Sequence, residues 1–547
     1  MRGTRHIAMK KDSQLPVLAS LTGLSSHIIR VSAALLLSIV MGCASVSKPV
    51  TIIHESTPSE SDIATAQWQS RKESVEQVKQ GNTNQLDEAR PALNTSATMS
   101  TEGTGTIGTQ DAHDRELIEK ITARVTAEVG NAVKEEVRND VMDEMYRDIW
   151  QVNWAMKEKD KRIRFGGDIR LRYEQDRFGS NNAAFVQPSD PNELMNTTVD
   201  QDLFKYRVRF GAEAMINEKM DTVIRLSTGT TTNPVSTNAT LGNYMNKDSV
   251  VFDLAYLKWR PWNSVTLYGG RIPNPFFSTD LLWARDLNFD GFALHARMPT
   301  TNAESWTPFL TTGAFPLQQY NFASEQKWLL AGQLGLERKS QKGVAVKIGS
   351  AYYDFKNITG VPNDPNNPGN TNWTAPQFQQ KGNTLFNISS DPSVVTTALA
   401  SEFKELDITG TLDIGFWDPV HVILLGDYVK NLGFNQADVA ALTGNPNPAE
   451  QVEGYQYGMS VGYPSTYEYG QWKVYFYVKH LEADAVVDGF TDPDFHLGGT
   501  NAKGWILGTD VGLSKNNWLT LKWLTADEIS GPPLAIDVLQ VDINARF

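Results

Sequence analysis

The spacing of apolar residues in this 547-residue chain changes once, near residue 161, and the change divides the molecule. Upstream, Leu117, Ile121, Val125, Val129, Val133, Val137, Val141, Met145 and Ile149 recur every fourth residue between acidic and basic neighbours, which predicts a helix over 114–160. A strict four-residue step advances about 40° beyond a full turn, so the stripe winds around the helix instead of holding a regular coiled-coil seam. A helical stalk, oligomeric along part of its length, and a lone amphipathic helix packed on the downstream domain both fit.

Downstream the period is two. Ile163, Phe165, Ile169, Leu171 and Tyr173 interleave with Arg164, Asp168, Arg170, Arg172 and Glu174. Phe204, Tyr206, Val208 and Phe210 interleave with Lys205, Arg207 and Arg209, and Trp472, Val474, Phe476 and Val478 with Lys473, Tyr475, Tyr477 and Lys479. The chain closes in the same way, with Leu539, Val541, Ile543, Ala545 and Phe547 against Gln540, Asp542, Asn544 and Arg546. Successive side chains of a strand point to opposite faces, so each segment carries one apolar and one polar wall. About sixteen such segments follow: 163–175, 202–216, 221–230, 249–260, 265–274, 290–299, 305–316, 327–339, 343–357, 402–417, 420–431, 453–466, 470–486, 503–515, 518–528 and 535–547. In 249–260 neither face is cleanly polar.

Connection lengths separate a soluble sheet from a membrane one. The segments alternate between long links, such as 176–201, 231–248 and 358–401, and short ones, such as Asn217–Met220, Trp262–Ser264 and Asp418–Pro419. A sandwich or propeller gives no reason for this; an outer-membrane barrel, with short periplasmic turns and long external loops, does. The prediction is an all-β transmembrane antiparallel barrel over 161–547, closed because lipid tolerates no unpaired edge. Sixteen strands are wide enough to leave a water-filled lumen. The parity of the links puts both termini in the periplasm, where the stalk would then lie.

Composition agrees with this and removes alternatives. A mean hydropathy of −0.35 rules out a bundle of membrane helices, but a barrel spends only every second residue on lipid. The 14 Trp and 17 Tyr suit two interfacial girdles. A net charge of −13 argues against a nucleic-acid partner. The single cysteine, Cys43, allows no disulfide within the chain. It follows the apolar run Val31–Gly42, which is too short to span a bilayer and reads as part of a secretory signal over 1–43. Val40-Met-Gly-Cys43 looks like a lipobox, making Cys43 the acylated lipid anchor of a lipoprotein; ordinary cleavage after Ala44 is the alternative. Met9, before two lysines, is a more ordinary start than Met1. Residues 44–113 are rich in Ser and Thr without apolar periodicity and read as a disordered linker.

Catalytic motifs are missing: no Gly-x-Ser-x-Gly, no His-Glu-x-x-His, no phosphate loop and no EF-hand. The expectation is no enzyme, no cofactor and no metal. His421 and His480 read as wall residues, and a barrel-borne lipase is the enzymatic alternative. The chemistry left is that of a lumen. Its inward face carries Arg164, Arg170, Arg172, Lys205, Arg207, Arg209 and Arg225, and basic rings favour anions. The link 274–290 carries Asp280, Asp286 and Asp290 among aromatic residues and is too apolar for open water. It is expected to fold inward as a constriction facing the arginines. In the competing reading the arginines pair with Asp168, Glu174 and Glu213 and only brace the wall.

Three separated stretches resemble the bacterial putative porin family: Arg162-Ile-Arg-Phe-Gly-Gly-Asp-Ile-Arg-Leu-Arg-Tyr173, Gly270-Arg-Ile-Pro-Asn-Pro-Phe276 with Asp286-Leu-Asn-Phe-Asp-Gly291, and Leu524-Thr-Ala-Asp-Glu-Ile529 continuing from Gly531 to Phe547. The resemblance covers about 160–547 and implies an outer-membrane channel, without a defined solute or any catalytic residue. The expected function is passive diffusion of small hydrophilic solutes. The expected partners are outer-membrane lipid, the barrel assembly machinery reading Phe547 as an assembly signal, and two further copies in a homotrimer. The alternative is a barrel that tethers the outer membrane to the cell wall and transports little.

Overall fold

The computed structural model describes residues 162–188, 190–298, 304–321, 325–340 and 343–547. The predicted signal, linker and stalk, Cys43 among them, lie outside the described residues. Each period-two segment forms one wall strand: β1 Ile163–Phe178, β2 Gln201–Asn217, β3 Met220–Thr228, β4 Val250–Trp262, β5 Val265–Pro273, β6 Asn288–Arg297, β7 Thr307–Gln318, β8 Lys327–Lys339, β9 Val344–Lys356, β10 Lys404–Trp417, β11 Val420–Asn431, β12 Glu453–Gly462, β13 Trp472–Leu481, β14 Ala502–Ser514, β15 Asn517–Glu528 and β16 Ala535–Arg546. Every strand pairs antiparallel with its neighbours in sequence. The ring closes where β16 meets β1, from Asp168↔Arg546 to Phe178↔Ile536. Phe547 completes that seam through backbone bonds to Gly167 in both directions, at 3.0 Å each. A Cβ on Gly167 would stand 2.4 Å from the Arg209 carbonyl oxygen and 2.7 Å from Phe547 Cζ, so the seam requires glycine there.

The wall is inverted relative to a soluble protein. Phe165 (67% exposed), Phe204, Phe210, Leu334, Ile348, Ile408, Phe476 and Ile543 lie outside, while Asp168, Arg209, Gln333, Asp407, Asp413 and Gln540 are buried inside. Apolar surface of this extent marks contact with lipid. Exposed rings of Trp262, Phe416, Trp417, Trp472 and Phe547 gather near the short-turn end, and those of Tyr428, Tyr455 and Tyr457 lie toward the other rim.

Two expectations need correction. The mixed pattern of β4 comes from a bulge, where the register against β3 shifts between Arg225 and Leu226. The extra residue, Asp253, flips the alternation, so Phe252 faces out while Leu254 and Tyr256 face in. The segregation of link lengths is also incomplete. At the long-loop end 319–326 and 529–534 are shorter than 298–306 and 463–471 at the opposite end. Antiparallel order decides at which end a link lies but not how long it is.

The lumen is not simply water. Links 274–287, 357–403 and 482–501 bring Phe276, Leu281, Leu282, Trp283, Leu399, Phe403 and Phe490 inward against Phe289, Phe315, Tyr353 and Phe355. Ring pairs such as Phe276–Tyr353 at 5.2 Å and Trp283–Phe289 at 5.0 Å meet edge to face, the favoured arrangement of aromatic quadrupoles. A hydrophobic core therefore lies inside the barrel.

Candidate pore and its constriction

Link 274–287 starts at the long-loop rim with an Asn274 turn, whose Oδ1 accepts from the Phe276 amide at 2.9 Å. It then crosses the lumen and is fastened on both sides. The Phe277 amide donates to Gln333 Oε1 at 2.8 Å, and Gln333 Nε2 donates back to the Phe277 carbonyl at 2.7 Å, which ties it to β8. The Thr279 amide and hydroxyl both donate to Asp427 of β11, and Lys479 of β13 donates to the Asp280 carbonyl at 2.6 Å. The Ala284 amide donates to the Phe490 carbonyl of link 482–501 at 2.8 Å.

On the far side Asp286 meets β2. Its carboxylate lies 3.4 Å from Arg207 Nη1 and 3.6 Å from Arg209 Nη1 and accepts from the Thr237 amide and hydroxyl. Burial alone would raise this carboxyl, but Arg207, Arg209 and Arg170 hold it well below the usual range. The same arginines are braced along the wall. Asp168 takes Arg209 Nε at 2.8 Å and Arg207 Nη2 at 3.0 Å. Arg172 makes a two-point contact with Asp542, at 2.7 and 2.9 Å, and reaches Asp494 at 2.9 Å. Lys205 pairs with Glu174. The arginines thus pair along the wall with Asp168 and Asp542 and across the lumen with Asp286.

Beyond this crossing a cavity of about 280 Å³ remains, bounded by β12–β16, β1, β2 and links 229–249, 274–287, 463–471 and 482–501. Of the basic residues expected to line a pore, Arg170, Arg172 and Arg207 border it. Arg209 and Arg225 do not: they are 0% and 2% exposed, and Arg225 is held by Asp253 at 2.6 Å. Arg164 lies near the short-turn end, opposite Glu213 in register, and Lys205 lies near the other rim. Asp280 and Asp286 border the cavity, but Asp290 does not. It belongs to β6 and pairs with Arg271 at 3.1 Å; the inward partners on those strands are Phe289 and Ile272, so this pair faces outward.

Several cavity residues were not singled out in the sequence: Tyr475, Tyr477, Lys473, Arg285, Lys522, Asp492, Asp494, Asp510 and Asp542. Parity alone marked the strand residues as inward. The contribution of link 482–501 carried no comparable signal. Asp280, Asp286, Asp492, Asp494, Asp510 and Asp542 match Arg170, Arg172, Arg207, Arg285, Lys473 and Lys522 in number, so the cavity carries both signs equally. This replaces the expectation of a basic ring.

A closed, inverted, sixteen-strand wall around a charged cavity is porin architecture, and the family model described as "Putative porin" matches residues 65–547. The chain belongs to the putative porin family. The porin is similar to solved outer-membrane proteins at low identity. The high-pH structure of Pseudomonas putida OprB shares 12% identity over 71% of this chain and 95% of that one, with a TM-score of 0.41. The outer-membrane channel DcaP of Acinetobacter baumannii shares 10% over 70% and 97%, at 0.38. Salmonella typhi OmpF, solved with daunomycin, shares 12% over 70% and 97%, also at 0.38. No curated protein matches the porin. It is an outer-membrane channel protein.

Proposed function

We propose that this porin passes small hydrophilic solutes and ions by passive diffusion along an eccentric route, between link 274–287 and the face formed by β12–β16, β1 and β2. The observation that carries the reading is the fastening of Asp286 to Arg207 and Arg209 across the lumen, beside a charged cavity of about 280 Å³. A narrow passage of balanced sign discriminates by size and hydrogen bonding more than by charge. Planar-bilayer recording tests this. The expected result is a small, steady conductance whose reversal potential in a salt gradient stays near zero. A strong anion or cation preference would overturn the balanced-route reading. A purified, folded barrel with no conductance would overturn transport and favour a tethering role.

A further inference from the structure

The cavity wall opposite the arginines is aromatic. Tyr475 and Tyr477 point inward from β13, their rings 5.6 Å apart and inclined by 29°. Each leans over a glycine of a neighbouring strand. Tyr475 Cζ stands 2.2 Å from where a Cβ on Gly508 of β14 would be, and Tyr477 Cδ1 stands 2.5 Å from that of Gly458 of β12. A larger residue at Gly508 would push the Tyr475 ring off the wall, and one at Gly458 would meet both the Tyr477 ring and the Phe476 carbonyl. The glycines are therefore seats in which the rings lie along the wall, one face to the backbone and the other to the cavity.

Facing them is Arg285 of the constriction link, whose side chain is 77% exposed and whose partner Asp280 lies 3.4 Å away. Lys473, Asp492 and Asp510 border the same space. Flat apolar faces are thus rimmed by donors and acceptors in nearly equal supply.

We propose that Tyr475 and Tyr477 form a transient binding subsite for a neutral polyhydroxylated ring, such as a monosaccharide or a cyclic polyol, on its way through the barrel. The inference rests on the porin reading. The C–H face of such a ring is apolar and flat and matches an aromatic face. Its hydroxyls around the edge each donate and accept, so they need a rim that offers both guanidinium or ammonium donors and carboxylate acceptors. An anion would gain from a surplus of cations, and the cavity has none. At about 280 Å³ the space sits at the lower edge of small-molecule sites (about 300–1,000 Å³), which suits one ring. Transit demands weak binding, because a solute must also leave.

The experiment is block of single-channel salt current by D-glucose, by the linear polyol sorbitol and by gluconate. Glucose should block saturably, with sorbitol and gluconate about tenfold weaker, the discrimination expected of stacking on two rings. Tyr475→Ala/Tyr477→Ala should weaken glucose block about tenfold while salt current persists, and Tyr475→Phe/Tyr477→Phe should retain it. Salt current with no glucose block, or block by sorbitol as strong as by glucose, overturns the subsite. So does undiminished block in the alanine variant. If that variant fails to fold, the comparison of glucose with sorbitol on the wild-type channel still decides. Absence of any salt current would instead overturn the porin reading.

Discussion

The two halves of the barrel interior are built from the same kind of strand and do opposite things. Along β4–β11 the inward residues Tyr256, Ile272, Phe289, Phe315, Leu329, Tyr353 and Phe355 pack with Trp283 and Phe490 from the links into one apolar cluster. Along β12–β16, β1 and β2 charged residues and tyrosines border the cavity, beside a smaller apolar cluster of Ile506, Leu524, Ile536 and Val538. Strand number sets the width of the cylinder. What remains open is decided by how many inward positions are apolar enough to recruit a link. The wall and the pore are therefore separate structural problems in this protein.

The strongest way to break the comparison is to remove the filling. Replacing 276–286 with a short Gly/Ser link should raise single-channel conductance several-fold, because the crossing and its fastenings to β8, β11, β13 and β2 disappear together. An unchanged conductance would mean that this link does not define the route.

Charges in the two environments should also respond differently. Arg209→Ala leaves Asp168 and Asp286 buried with one cation fewer, and breaking a buried pair costs about 3–5 kcal/mol. Denaturant unfolding in detergent or vesicles should show that loss. Lys522→Ala, at the cavity beside Asp494, should cost under about 1 kcal/mol and shift the reversal potential toward cations. Equal stability losses for the two variants would erase the distinction.

A smaller effect concerns the clasp between links 357–403 and 482–501. Lys381 Nζ donates to His496 Nδ1 at 2.5 Å, and His496 Nε2 donates to the Leu534 carbonyl at 3.0 Å, which requires a neutral ring. Burial pushes His496 down to about 3, and the Lys381 charge acts in the same direction. With an unfolded value near 6.5, the clasp has its full histidine contribution above that pH and loses it as pH falls toward about 3. Asp488, raised to about 8 by burial, works with the opposite sign, contributing fully below about 3.8 and fading as pH rises to about 8. The readout is therefore the difference between wild type and His496→Gln. Hydrogen exchange in 482–501 should diverge between them as pH is lowered below 6.5, and parallel curves would count against the clasp. The smallest effect should be Asp290→Asn, which alters one outward pair with Arg271 and should leave conductance unchanged.

Most of the wall was legible. Ile163 to Phe178 and Ala535 to Arg546 alternate so regularly that face, strand and closure follow from local geometry, and the one ambiguous strand was ambiguous because Asp253 occupies a bulge. The inward turn of 274–287 was legible from its aromatics, since so apolar a link is costly in water. Asp290 was misassigned because the end of that link and the start of β6 share one composition. Link 482–501 was missed because Asp492 and Asp494 look like ordinary loop acids until Phe495 is seen buried, and Phe490 half-buried, beside them.

By itself the sequence determined which residues face lipid and which face inward, because a period of two is a property of the strand. It did not determine which inward residues meet water. Arg170, Arg209 and Arg225 share one parity and one chemistry, yet only Arg170 borders the cavity. That division depends on where three links, distant in sequence, pack together. Their packing is set by long-range burial of Trp283, Tyr353 and Phe490, which no local pattern encodes.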